Sequence, residues 1–229
     1  MKTNNSIHIS LREVGIKSLS QISVKRFLSY LISIDVLFIV IHIINSFTFN
    51  NPDFKITSDR SYPEFYQYTK YFLVVLMLIN ISIKNKSYSY TSWAILFTYF
   101  LIDDSFQIHE TFGGFIANII TFSPPFGLRR QDIGELVTSS IAGLVIFPTI
   151  IWKYLRGTDE FKKETINIAL LVSLLVFCGI FLDMLHEALP LNRIFKGIFG
   201  ILEDGGEMVA MTLITWYIYS LNMHYTKKQ

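Results

Sequence analysis

Residues 166–188 read INIALLVSLLVFCGIFLDMLHEA, a run of aliphatic and aromatic side chains that closes on Asp183, His186 and Glu187. A helix needs about 20 mostly apolar residues to cross the hydrocarbon of a bilayer, and this stretch supplies them. Its polar end matters as much, because ionisable side chains set into a bilayer cost about a few kcal/mol each and mark functional sites by default.

Outward from this stretch, five further segments qualify as spans: 27–48, 66–83, 89–110, 134–152 and 201–222. The expected fold is therefore an all-α, polytopic integral membrane bundle with about six transmembrane helices. Residues 1–26 are expected to form a cytoplasmic N-terminal segment, 27–222 the transmembrane domain and 223–229 a cytoplasmic tail. Composition agrees: 51% of residues are hydrophobic, mean hydropathy is +0.41, and 17% are charged, against roughly 25% in soluble domains. No small-residue cleavage signal follows the first apolar run, which continues to Phe47 and reads as a retained helix. Residues 112–128 are apolar but interrupted by Gly113-Gly114 and Pro124-Pro125. They fit an interfacial or re-entrant segment, covered by protein or water where the backbone is irregular.

Several classes fall away. A net charge of +2, with basic residues dispersed between apolar runs, leaves no nucleic-acid footprint. The single cysteine, Cys178, gives no disulfide framework and no cysteine-based metal site. Neither a nucleophile elbow nor a phosphate-cradling glycine loop occurs. Thirteen of the 20 Lys and Arg fall on one side of the six spans and seven on the other, which puts both termini in the cytoplasm and the protein in a plasma or inner membrane.

Eight of the 18 acidic residues are packed into three motifs, 103–110, 183–187 and 203–207. With the expected orientation, all three lie at the extracytoplasmic end of the bundle. At 100° per residue, Asp183, His186 and Glu187 share one face, as do Glu203, Asp204 and Glu207. Gly205 and Gly206 lie off that face, where another backbone could approach. Asp103, Gln107 and Glu110 share a face of the third span, whereas His109 points away unless the helix unwinds at its end. Asp132 and Glu135 open the fourth span, and His42 lies near the outer end of the first. Asp35, one face-repeat deeper, is expected to be a protonated hydrogen bonder or a proton relay.

So many carboxylates in one layer need a positive partner, or several of them must be protonated. Imidazoles mixed with carboxylates suit Zn, Mn or Fe better than Ca or Mg. The spacing Asp183-x-x-His186 resembles the Glu-x-x-His unit with which helical bundles hold paired metals, although here the carboxylate is Asp and no second unit follows. The ligand candidates are His42, Asp103, His109, Asp183, His186, Glu187, Glu203 and Glu207, with Glu110 as general base toward the mouth. These point to a metal-dependent hydrolase acting on a membrane lipid. Two other classes compete: a transporter of divalent cations or protons, and a non-catalytic sensor or assembly factor with a structural ion.

Overall fold

The computed structural model of the chain describes residues 3–85 and 87–227, with side chains from Ile22 onward. Among these residues the chain is helical and contains no strand. The helices are α1 (Thr3–Phe47), α2 (Tyr62–Lys84), α3 (Thr91–Phe106), α4 (Ile108–Ile119), α5 (Arg130–Arg156), α6 (Asp159–Val176), α7 (Asp183–Ala188) and α8 (Arg193–Lys227). A π turn over Phe177–Leu182 joins α6 to α7 without a loop.

Local chemistry sets the helix starts. Ser61 accepts the Glu64 N–H at 3.4 Å to cap α2, with Pro63 in the first turn and Lys84 in the last. Thr158 likewise accepts the Phe161 N–H at 3.3 Å, and Asp159 and Glu160 complement the dipole of α6.

Helix α8 is the axis of the bundle, packed by α1, α2 and α6. Its Ala210, Met211, Ile214 and Ile218 are buried against Val74, Leu78 and Ile81 of α2 and Ile168 of α6. Helix α3 adds Trp93 and Phe97 to this core. Helix α5 packs chiefly on α4 and makes only slight contact with α6.

Four helical stretches are long and apolar enough to cross a membrane: Ile22–Phe47, Tyr62–Lys84, Arg130–Arg156 and Asp159–Ala188. The remaining two expected spans depart from that pattern for different reasons. Helix α3 is only 16 residues long, because the backbone breaks at Gln107 with φ 52° and ψ 46°. Helix α8 is long enough but sits inside the protein, where Thr212 and Thr215 are fully buried and Asn80 donates to Asn222 at 2.6 Å. A helix surrounded by other helices does not need a lipid-grade sequence. Segment 112–128 spans nothing: it is the end of α4 and a turn in which Phe126 and Gly127 take positive φ.

Lys70, one of the seven cations expected on the outer side, lies in no loop. It is buried in α2, where Nζ donates to Met208 O at 2.7 Å, Thr212 Oγ1 at 3.3 Å and Asp35 Oδ1 at 3.3 Å. The ammonium also lies 4.5 Å from the Tyr66 ring centre. Asp35 is thus one half of an interior ion pair that ties α1 to α2 and α8.

Candidate functional site

The break at Gln107 builds the first part of the site. In the left-handed conformation its N–H caps α3 through Asp103 O and Asp104 O, and α4 then sets off in a new direction. The His109 N–H donates to Asp103 Oδ1 at 2.9 Å, and the ring Nδ1 lies 3.1 Å from Asp103 Oδ2. A continuous helix would hold His109 off the Asp103 face; the left-handed residue brings the two together. Asp103, Asp104 and His109 thereby form a group whose ligand atoms all lie within 4.8 Å of one another. Because Nδ1 is engaged by a carboxylate, Nε2 is the ring's remaining donor atom, the arrangement metal-binding histidines usually have.

This group opens onto a cavity of about 1150 Å³. Around it stand Asp103 and Asp104 of α3, Glu110 of α4, Asp132 and Glu135 of α5, Asp183 of α7, and Glu203, Asp204 and Glu207 of α8. Asp59, before α2, and Glu64, in its first turn, complete eleven carboxylates, against Arg129 and His109 as the basic side chains of the lining. Two carboxylates 4 Å apart repel by about 4 kcal/mol at an effective dielectric near 20, so this density of acids calls for a positive partner.

Glycines fix how closely the walls approach. Helices α4 and α5 cross at Gly113 and Gly134, where a Cβ on Gly134 would lie 2.8 Å from the Gly113 carbonyl carbon. Above Glu207, Gly179 in the π turn leaves room for the carboxylate, whose Cδ would lie 2.8 Å from a Cβ there. Gly206 gives way to the Cys178 side chain and Gly205 to Ile39, rather than to a second backbone.

Of the candidates read from the sequence, Asp103, His109, Glu110, Asp183, Glu203 and Glu207 line the cavity. Three candidates do not. His186 pairs through Nδ1 with Glu203 Oε2 at 3.0 Å, and Glu187 lies 3.5 Å from the Arg129 guanidinium. The π turn preceding α7 alters the register that an ideal helix gives these residues. His42 stands apart, its Nδ1 accepting the Ile56 N–H at 3.2 Å. Asp104 is absent from the ligand candidates because it neighbours Asp103 off the face that helical spacing selects. Gln67 of α2 and Tyr99 of α3 also reach the cavity, each with a buried oxygen that has no hydrogen-bond partner among the described residues. Neither carries a sequence signal beyond its place in an apolar helix.

The chain belongs to the family described as a domain of unknown function (DUF8692), whose model matches residues 61–223. No curated protein and no solved structure matches it. The matched stretch opens at the cap of α2 and holds every carboxylate of the cavity except Asp59, while α1 with Asp35 and His42 lies outside it.

Proposed function

We propose that the protein is a multi-pass membrane enzyme, with both termini cytoplasmic, that uses a metal ion near the extracytoplasmic face to hydrolyse an ester or amide of a membrane lipid. The observation that carries this reading is the Asp103, Asp104 and His109 group set at the edge of a large cavity. Two carboxylates and an imidazole are a donor set suited to Zn, Mn or Fe. Asp103, Asp104 and His109 would hold the ion between them, with Asp103 also fixing the imidazole through its contacts to the His109 N–H and Nδ1. A bound ion there would polarise a carbonyl and favour an attacking water at neutral pH. Glu110, at the start of α4 and in the cavity lining, would take the proton from that water.

The test is turnover by purified protein in vesicles made from total lipid of the host membrane, read by mass spectrometry. Release of fatty acid should stop on chelation, return with Zn, Mn or Fe, and fall at least about 100-fold in Glu110→Gln. An unchanged lipid profile under every metal condition would remove hydrolysis.

Transport of a divalent cation or protons is the second reading, favoured by the Asp35 and Lys70 pair. Lys70 bonds to Met208, itself a lining residue, so polar groups continue below the cavity. Cation uptake into proteoliposomes that Asp104→Asn abolishes would reverse the order of the two.

A further inference from the structure

The wall that α5 gives the cavity changes character along its length. One stripe of the helix faces inward, and from the outer end it reads Asp132 and Glu135, then Ser139 and Ser140, then Gly143, and finally Ile146, Phe147 and Ile151. From Asp132 to Ile151 this is roughly 28 Å at 1.5 Å per residue, of which about the last 12 Å, beyond Gly143, is apolar. The wall that runs from α7 through the π turn to α6 follows the same gradient: Asp183 at the outer end, Gly179 and Ile180 before it, then Leu175 and Val176. Leu96 and Phe100 stand below Asp103 on α3. A cavity that is acidic at one end and apolar at the other matches a ligand with a head and a tail.

Charge selects the head. Eleven carboxylates and a single guanidinium line the cavity, so with even half of the acids ionised a bound divalent ion would leave the chamber net negative. A net-anionic head meets repulsion there; an amine finds acceptors on several helices. An independent observation points the same way. Gln67 is only 8% exposed, lines the cavity one turn below Glu64, and carries an Oε1 that no donor among the described residues reaches. A buried carbonyl oxygen left unpaired is costly, and an N–H of the ligand would satisfy it.

We infer that the cavity binds a membrane amphiphile with an amine-bearing head, the head among the carboxylates beside Gln67 and the tail along the inner stripe of α5. The inference deepens the proposal of a lipid substrate and rests on that proposal for any chemistry done on the bound lipid. Entry is lateral, between α5 and α6, which make only slight contact with each other.

The experiment uses full-length protein in phosphatidylcholine vesicles containing EDTA, so that binding is read without turnover. The probes are phosphatidylethanolamine and phosphatidylglycerol, each carrying a diazirine near the end of one acyl chain, with adducts mapped by peptide mass spectrometry. Phosphatidylethanolamine should label the buried Ile146 of α5 and Leu175 of α6, and phosphatidylglycerol should label them several-fold less. Gly143→Leu, whose first added carbon already comes within 3.3 Å of the Phe147 ring, should narrow the chamber and suppress these inner adducts. Adducts on the exposed Ile141, Val145 and Leu155 should persist, reporting that the variant is folded and in the membrane. Labelling confined to those outer residues would overturn the chamber, and equal inner labelling by both lipids would overturn the amine head. Inner labelling by phosphatidylethanolamine with no hydrolysis of any lipid would uphold this inference and remove the enzymatic reading.

Discussion

Replacing Gly134 by alanine should loosen the cavity wall without unfolding the protein. A Cβ there would lie 2.8 Å from the carbonyl carbon and 2.9 Å from the Cα of Gly113. Those atoms, and the Gly113 carbonyl oxygen that lies closer still, are backbone and cannot rotate away, so α4 and α5 must part by roughly an ångström to restore ordinary contact. Forced overpacking of this kind costs about 1–3 kcal/mol. Alanine recovers about 0.5–1 kcal/mol of helix propensity, leaving a net loss of about 1–2 kcal/mol. Gly197→Ala is the matched control, since nothing lies within 4 Å of its new Cβ and the propensity gain stands alone. Because α4 also carries His109 and Glu110, a shift of roughly an ångström exceeds the tolerance within which a working site must be held. Thermal melts in detergent, with metal content and lipid turnover measured on the same samples, give the comparison. Gly134→Ala should melt below wild type and lose turnover at least about tenfold, with Gly197→Ala at or above wild type. Equal melting of the two variants with full activity would refute the close crossing of α4 and α5.

Other perturbations probe separate parts of the molecule. Lys70→Met leaves the Asp35 carboxylate buried without its cation and should destabilise by about 3–5 kcal/mol; adding Asp35→Leu should restore most of that, and a double variant as unstable as the single would argue against the pair. Gly179→Ala meets the flexible end of Glu207, so the melt should change by less than about 1 kcal/mol while turnover falls; a large loss of stability with normal turnover would contradict that placement. Thr158→Ala removes the cap of α6 and should cost about 1 kcal/mol in the melt without touching metal content or turnover.

The helical class and the acidic end of the bundle are legible in the sequence because both rest on local composition: apolar runs of spanning length, and acids gathered at their ends. The break at Gln107 is not legible. The stretch Leu101 to Glu110 contains no glycine or proline, and a glutamine at positive φ is uncommon enough that no sequence rule proposes it. His109 therefore reads as turned away, although it is the residue that Asp103 holds. The π turn before Asp183 has only Gly179 as a hint, and beyond it His186 and Glu187 pair with Glu203 and Arg129 of the lining without lining the cavity themselves. Lys70 falls on the wrong side in a count of loop charges because hydropathy windows average a single charge away, whereas its meaning comes from Asp35, 35 residues distant. Asp59 and Glu64 are invisible for a similar reason: position near a loop says little about which cavity the loop borders.

Metal content is the most direct probe of the claim that the carboxylates at the end of α3 and the imidazole at the start of α4 hold a shared cation. Protein purified without an affinity histidine tag, incubated with Zn, Mn or Fe and freed of excess ion, would be measured by inductively coupled plasma mass spectrometry. About one equivalent of a single metal is expected for wild type, with near-complete loss in both Asp104→Asn and His109→Ala. Wild-type protein that retains no metal, or variants that retain as much as wild type, would contradict the claim.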